Sequence, residues 1–93
     1  MPPTEYKQGN TITLTGQFYN EDGQTLVDAL AVSLKLYDER YTLLATFTPT
    51  RTGTGTYEYR WTADRLGTVV YEFWGEVDGL PSLDRKTLVI KFV

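Results

Sequence analysis

Apolar and polar residues alternate along this chain in short runs separated by turn-forming clusters. From Thr11 to Phe18, Ile12, Leu14 and Phe18 fall on one side and Thr and Gln mostly on the other, the period of two that marks a strand with one buried and one wet face. Asn20-Glu21-Asp22-Gly23 ends that strand, because Asn and Asp bond locally to the backbone and Gly accepts positive φ. Alternation resumes in Val32-Ser33-Leu34-Lys35-Leu36-Tyr37, stops at Asp38-Glu39-Arg40, and returns from Tyr41 to Thr48 through Leu43, Ala45 and Phe47. Pro49 and the loop Thr50-Arg51-Thr52-Gly53-Thr54-Gly55 interrupt it before Tyr57, Tyr59 and Trp61 line one face of the next strand. Ala63 to Gly67 reads as a corner into a long strand from Thr68 to Val77, and a last strand runs from Arg85 to Val93. Asp78-Gly79 signals a hairpin between them, with Pro81 and Ser82 implying a loop longer than two residues.

About seven short strands at intervals of roughly 8 to 12 residues, with no amphipathic helix between them, predict an all-β fold: an immunoglobulin-like antiparallel β-sandwich. The expected core is Ile12, Leu14, Phe18; Val32, Leu34, Leu36; Leu43, Phe47; Tyr57, Tyr59, Trp61; Val69, Tyr71, Phe73; and Leu88, Ile90, Phe92. A chain of 93 residues with 41% hydrophobic content can build one such core and not two. Residues 1–93 are therefore expected to form a single domain.

Composition narrows the chemistry. The chain has no Cys, so disulfides, thiolate nucleophiles and sulfur-ligated metals are excluded. It has no His either, which removes the commonest general base and transition-metal ligand. No Gly-x-Ser-x-Gly elbow is present, so the expectation is a binding protein with no catalytic residues, cofactor or metal. A net charge of −3 leaves no excess of Lys and Arg for phosphates, and nucleic acid is not an expected partner. Nor is a membrane, since no run approaches the roughly 18 to 20 apolar residues that span a bilayer. The N-terminus lacks a basic segment followed by an apolar run, so assembly in the cytoplasm is expected. Glu21-Asp22 and Asp38-Glu39 lack the alternating spacing of a calcium loop and read as turns. The Gly-containing loop at 50–55 has no helix after it to complete a phosphate cradle.

One segment departs from simple alternation. In Val69-Val70-Tyr71-Glu72-Phe73-Trp74 bulky apolar residues occupy both faces. With Tyr71 and Phe73 inward, Val70 and Trp74 point outward, and Val89 of the last strand is expected beside them in an exposed apolar patch. Tyr41, near a turn, offers area and a hydroxyl for recognition. The candidate partner-binding residues are thus Val70, Trp74, Val89 and Tyr41. Met1 to Gln8, with two Pro residues, reads as an extended arm that either adds to another chain's sheet edge or frays.

Leu26-Val27-Asp28 followed by Val32, then Gly53-Thr54-Gly55-Thr56-Tyr57, then Gly67-Thr68 opening a strand with Tyr71 and Trp74, resembles small Ig-like proteins encoded among the virion structural genes of tailed bacteriophages. Those relatives often carry Asp-Pro where this chain has Asp28-Ala29, and Pro-Asp-Gly where it has Asp38-Glu39-Arg40. The resemblance implies a virion protein without chemistry of its own, decorating the head or joining head, neck and tail. Its partners would be other capsid, neck or tail proteins, with a homo-oligomer as a further option. The alternative is a cell-surface or secreted Ig-like adhesin or carbohydrate-binding module, in which Trp74 and Tyr41 stack on sugar.

Overall fold

The computed structural model describes residues 4–92. Eight strands follow one another: β1 (Thr4–Lys7), β2 (Thr11–Gln17), β3 (Leu30–Tyr37), β4 (Leu43–Phe47), β5 (Thr50–Gly53), β6 (Thr56–Thr62), β7 (Gly67–Val77) and β8 (Leu80–Lys91). They form two sheets, ordered β1-β8-β7-β3-β4 and β2-β6-β5. This is the order in which an immunoglobulin sandwich lays strands B, E and D against G, F and C. All pairings are antiparallel except that β1 runs parallel to β8.

Period-two alternation turns one side of each central strand into the core. Ile12 and Leu14 of β2, Leu34 and Leu36 of β3, Tyr57 and Trp61 of β6, Val69 and Phe73 of β7, and Leu88 and Ile90 of β8 are all buried, with Phe18 and Ala63 between the sheets. The β2–β3 connection is tied down by polar contacts. Asp28 accepts from the Gly55 backbone N–H at 2.8 Å and from Arg51 Nε at 3.0 Å. The Tyr57 hydroxyl accepts from Ala29 N at 3.2 Å and donates to Ala29 O at 3.3 Å. Asp22 and Asp38, in the acidic pairs of the sequence, turn their carboxylates onto local backbone N–H groups, as turn residues do.

Several expectations are corrected. Residues 50–53, read as loop, pair with β6 as β5, Thr50 opposite Glu58 and Arg51 opposite Tyr57. The amino-terminal arm docks on its own chain, Glu5 opposite Val89 and Lys7 opposite Lys91; Met1, Pro2, Pro3 and Val93 lie outside the described residues. The β7–β8 hairpin turns on Asp78 and Gly79 alone, both at positive φ (53° and 73°), the conformation a two-residue primed turn needs. Pro81 therefore sits inside β8, opposite Glu76, on a stretch that β1 does not reach and where an edge tolerates proline. A bulge at Leu36/Tyr37 places Leu43 opposite Tyr37. One residue of slip reverses the faces, so Leu44 packs toward the core while Leu43 is 52% exposed. Phe92, past the end of β8, is 80% exposed.

The sheets approach closely where Gly16 meets Phe73. A Cβ on Gly16 would stand 2.2 Å from Phe73 Cγ, well inside contact distance, so Gly16→Ala must push the sheets apart or force Phe73 off its rotamer. We expect a loss of about 2–3 kcal/mol, measured by urea unfolding. Gly53→Ala, which would meet nothing within 4 Å, should change stability by less than about 0.5 kcal/mol.

Candidate functional site

The outer face of the five-stranded sheet is built from the residues of β3, β7 and β8 that point away from the core. Register arranges them in rows across the sheet. Tyr37, Val70 and Thr87 form one row, Lys35, Glu72 and Arg85 the next, and Ser33, Trp74 and Leu83 the third. An outward Glu in such a grid would ordinarily be solvated. Glu72 instead has no exposed surface.

Its burial is the work of its neighbours. Trp74 Nε1–H donates to Glu72 Oε1 at 2.8 Å, Arg85 Nε–H donates to Oε2 at 2.7 Å, and the Tyr41 hydroxyl donates to the same oxygen. Arg85 Nη2 also donates to the Tyr41 hydroxyl at 3.2 Å. The rings close over this centre. Tyr37 and Tyr41 stack at 4.2 Å with 11° between planes, the Arg85 guanidinium lies 5.6 Å from the Tyr41 centroid, and Lys35 Nζ lies 5.2 Å from that of Trp74. Each cation–π contact contributes about 0.5–1 kcal/mol at a solvent-facing site.

Tyr41 reaches Glu72 because its loop is held in a tight turn. The Asp38 carboxylate accepts from the N–H groups of Arg40 and Thr42, both at 2.9 Å, and the Asp38 carbonyl accepts from Tyr41 N at 3.0 Å. Tyr41 itself adopts φ 62°, a left-handed conformation that costs a non-glycine residue about 1–2 kcal/mol. Stacking on Tyr37 and the bond to Glu72 offset that strain.

The electrostatics follow from the geometry. Burial on its own would raise the Glu72 pKa, but the bonds from Tyr41, Arg85 and Trp74 and the Arg85 charge outweigh it and hold the carboxyl below its ordinary value. The same bond to Glu72, followed by the one to Tyr41, raises Arg85. Burial and then the Glu72 charge push the Tyr37 phenol up. The result is an anion fixed at the floor of an aromatic and cationic cluster. The cluster has hydrogen-bonding and stacking capacity.

Of the residues anticipated from sequence, Trp74 and Tyr41 meet through Glu72, and Val70 stands one row away. Val89 does not join them. It faces Thr68 and Glu5, six positions beyond the residue opposite Trp74, or roughly 20 Å at about 3.4 Å per residue. The apolar neighbour of Trp74 is Leu83, 38% exposed. Sequence reasoning missed Leu83, Glu72, Arg85 and Lys35, and the signal for three of them was the hairpin. Counting outward from a two-residue Asp78-Gly79 turn, Val77 meets Leu80, Trp74 meets Leu83 and Glu72 meets Arg85. Placing Pro81 and Ser82 in a loop loses that register.

Comparison of the chain with known protein families, with curated proteins and with solved structures finds no match in any of the three.

Glu72→Gln removes the charge from three hydrogen bonds and should destabilise the fold by about 2 kcal/mol at pH 7. Because the folded pKa lies below the ordinary 4.5, the stability due to this charge is complete above that value and disappears as pH falls through the folded one. The gap in urea midpoint between wild type and Glu72→Gln should therefore be widest at neutral pH and narrow below it. A gap independent of pH would show that the carboxylate's charge is not what holds the cluster.

Proposed function

We propose that this chain is a non-catalytic structural protein of a tailed-phage virion, decorating the head or joining head, neck and tail, and that it acts by protein–protein contact through the outer face of its five-stranded sheet. The observation that carries the contact is the pre-ordered cluster of Trp74, Tyr41, Tyr37 and Arg85. Trp, Tyr and Arg are the residue types that dominate interface energetics, most effectively when rigid before binding. Here stacking and the buried carboxylate fix their rotamers in the free protein, so little side-chain entropy remains to be lost on association. The virion setting is supported by the sequence resemblance through Asp28, Gly53 to Tyr57 and the Gly67-Thr68 strand.

A second reading, a surface-exposed or secreted adhesin or carbohydrate-binding module, is favoured by one feature of the same site. Tyr41 and Trp74 share a face, and aromatic rings on a flat surface are suited to pack against sugar rings.

Light scattering on the purified chain, alone and mixed with the capsid, neck and tail proteins encoded beside it, separates the two. We expect a defined complex with one of those proteins that is lost in Trp74→Glu while near-ultraviolet circular dichroism shows the variant folded. No association with any neighbour, together with glycan binding that quenches Trp fluorescence, would replace the virion reading with the second.

A further inference from the structure

The outer face is graded along the strands as well as clustered. Beyond the row of Trp74 and Leu83 lies the pair Glu76 and Pro81, with Leu30, 70% exposed, opposite Glu76. In the other direction the next row is Lys35, Glu72 and Arg85. An apolar step therefore gives way to a charged one over two residues, about 7 Å.

The charge of that second row is unbalanced. Glu72 is buried and committed to Tyr41, Trp74 and Arg85. Arg85 forms its ion pair with Glu72 through one oxygen at 2.7 Å and keeps a half-exposed side chain. Lys35 makes no ion pair among the described residues; its ammonium is held over the Trp74 ring. Two cations thus straddle one sequestered anion, their Cα atoms roughly 10 Å apart across two strand spacings. This positive excess stands on a chain whose net charge is −3 and belongs to that row alone, since Glu76 brings an exposed carboxylate to the same face on the other side of Trp74. A cation held on an aromatic ring without a counter-ion keeps its capacity for a charge-assisted hydrogen bond.

Resting on the protein-contact reading above, we infer that the partner meets this face with an acidic segment: an apolar side chain seated on Trp74 and Leu83, and a carboxylate one row away against Lys35 and the outer edge of Arg85. The apolar contact anchors and the carboxylate sets register and orientation, the division of labour usual at interfaces with a cationic patch. Sulfated or uronic-acid glycans carry the same charge but lack the apolar side chain the Leu83 step accommodates.

The test uses the whole chain and two synthetic nine-residue peptides alternating Ser with Leu and Glu, or Ser with Leu and Lys, followed by the Trp74 indole and Lys35 resonances in NMR, alongside the complex with the neighbouring virion protein. Lys35→Met removes the charge while keeping a side chain over Trp74; Leu83→Ser tests the apolar step without touching the cluster. We expect the Glu peptide to shift both resonances and the Lys peptide to shift neither. The virion complex should weaken at least tenfold in Lys35→Met and in Leu83→Ser, and weaken between 50 and 300 mM salt. A complex lost in Leu83→Ser but unchanged by Lys35→Met and by salt would overturn the acidic partner while leaving the contact face in place. A complex indifferent to Leu83→Ser, Lys35→Met and Trp74→Glu alike would overturn the contact face itself. Binding of a uronate oligosaccharide with no response to the Glu peptide would overturn a protein partner.

Discussion

With no cysteine to join them, the two sheets are held together by the contact of their inner faces and by polar links such as Gln17 N to Asp84 Oδ2 and Lys86 Nζ to the Thr15 carbonyl, both 2.8 Å, and the inner contact depends on how closely β2 and β7 approach. Phe73, fully buried, lies against the backbone of Gly16. A side chain there would lever the sheets apart by a fraction of an ångström, and dispersion between the faces falls steeply over such a gap. Phe18 is set edge-on to Tyr57 at 5.6 Å, filling the end of the layer that Phe73 begins. Phe18, Tyr57, Trp61 and Phe73 bring rings into an otherwise aliphatic core, and large rings cover the most area from the few positions that short strands offer.

Because β7 supplies Phe73 to this contact, its opposite face is held still as well. Val69 and Phe73 fix the strand from inside, while Glu72, one residue removed, is fixed from outside by Tyr41, Trp74 and Arg85. A buried carboxylate without these donors would be strongly unfavourable. With them, it forms a second, polar packing centre on what would otherwise be a plain solvated sheet. Such networks are worth more in geometric definition than in net stability. That asymmetry fits a surface on which precise placement of Tyr, Trp and Arg matters more than a larger folding energy.

How much of this was legible in sequence depended on whether the relevant contact was local. β2, β3 and β6 announce themselves by alternation and β7 by its run of β-branched and aromatic residues, and their buried residues follow. β5, Thr50-Arg51-Thr52-Gly53, has no apolar side chain, and only its pairing to β6 makes it a strand. β1 owes its existence to β8 in the same way. Leu43 and Leu44 exchange faces through a bulge that no periodicity encodes. In the candidate site Trp74 and Tyr41 were visible as aromatics in unusual places. The residue joining them was not, because a single Glu between Tyr71 and Phe73 looks like any outward polar position until Arg85 is known to lie across from it.

The motif behind the phage resemblance has a physical meaning of its own. Asp28 binds the Gly55 N–H and Arg51, Tyr57 binds both backbone groups of Ala29, and Phe18 N donates to Gly55 O at 2.9 Å. These residues lock the β2–β3 connection onto the β5–β6 hairpin. They lie around the three-stranded sheet, away from the Glu72 cluster. Asp28, Gly55 and Tyr57 therefore speak to how the sandwich is built, and a contact of the kind proposed above would be set by residues elsewhere. On the contact reading those lie on the outer face of the five-stranded sheet, where Lys35, Leu83 and Arg85 are arranged around Trp74 by register and not by any short sequence pattern. A chain with the same Asp28, Gly55 and Tyr57 contacts could exchange this grid entirely, retaining the fold while changing what it holds.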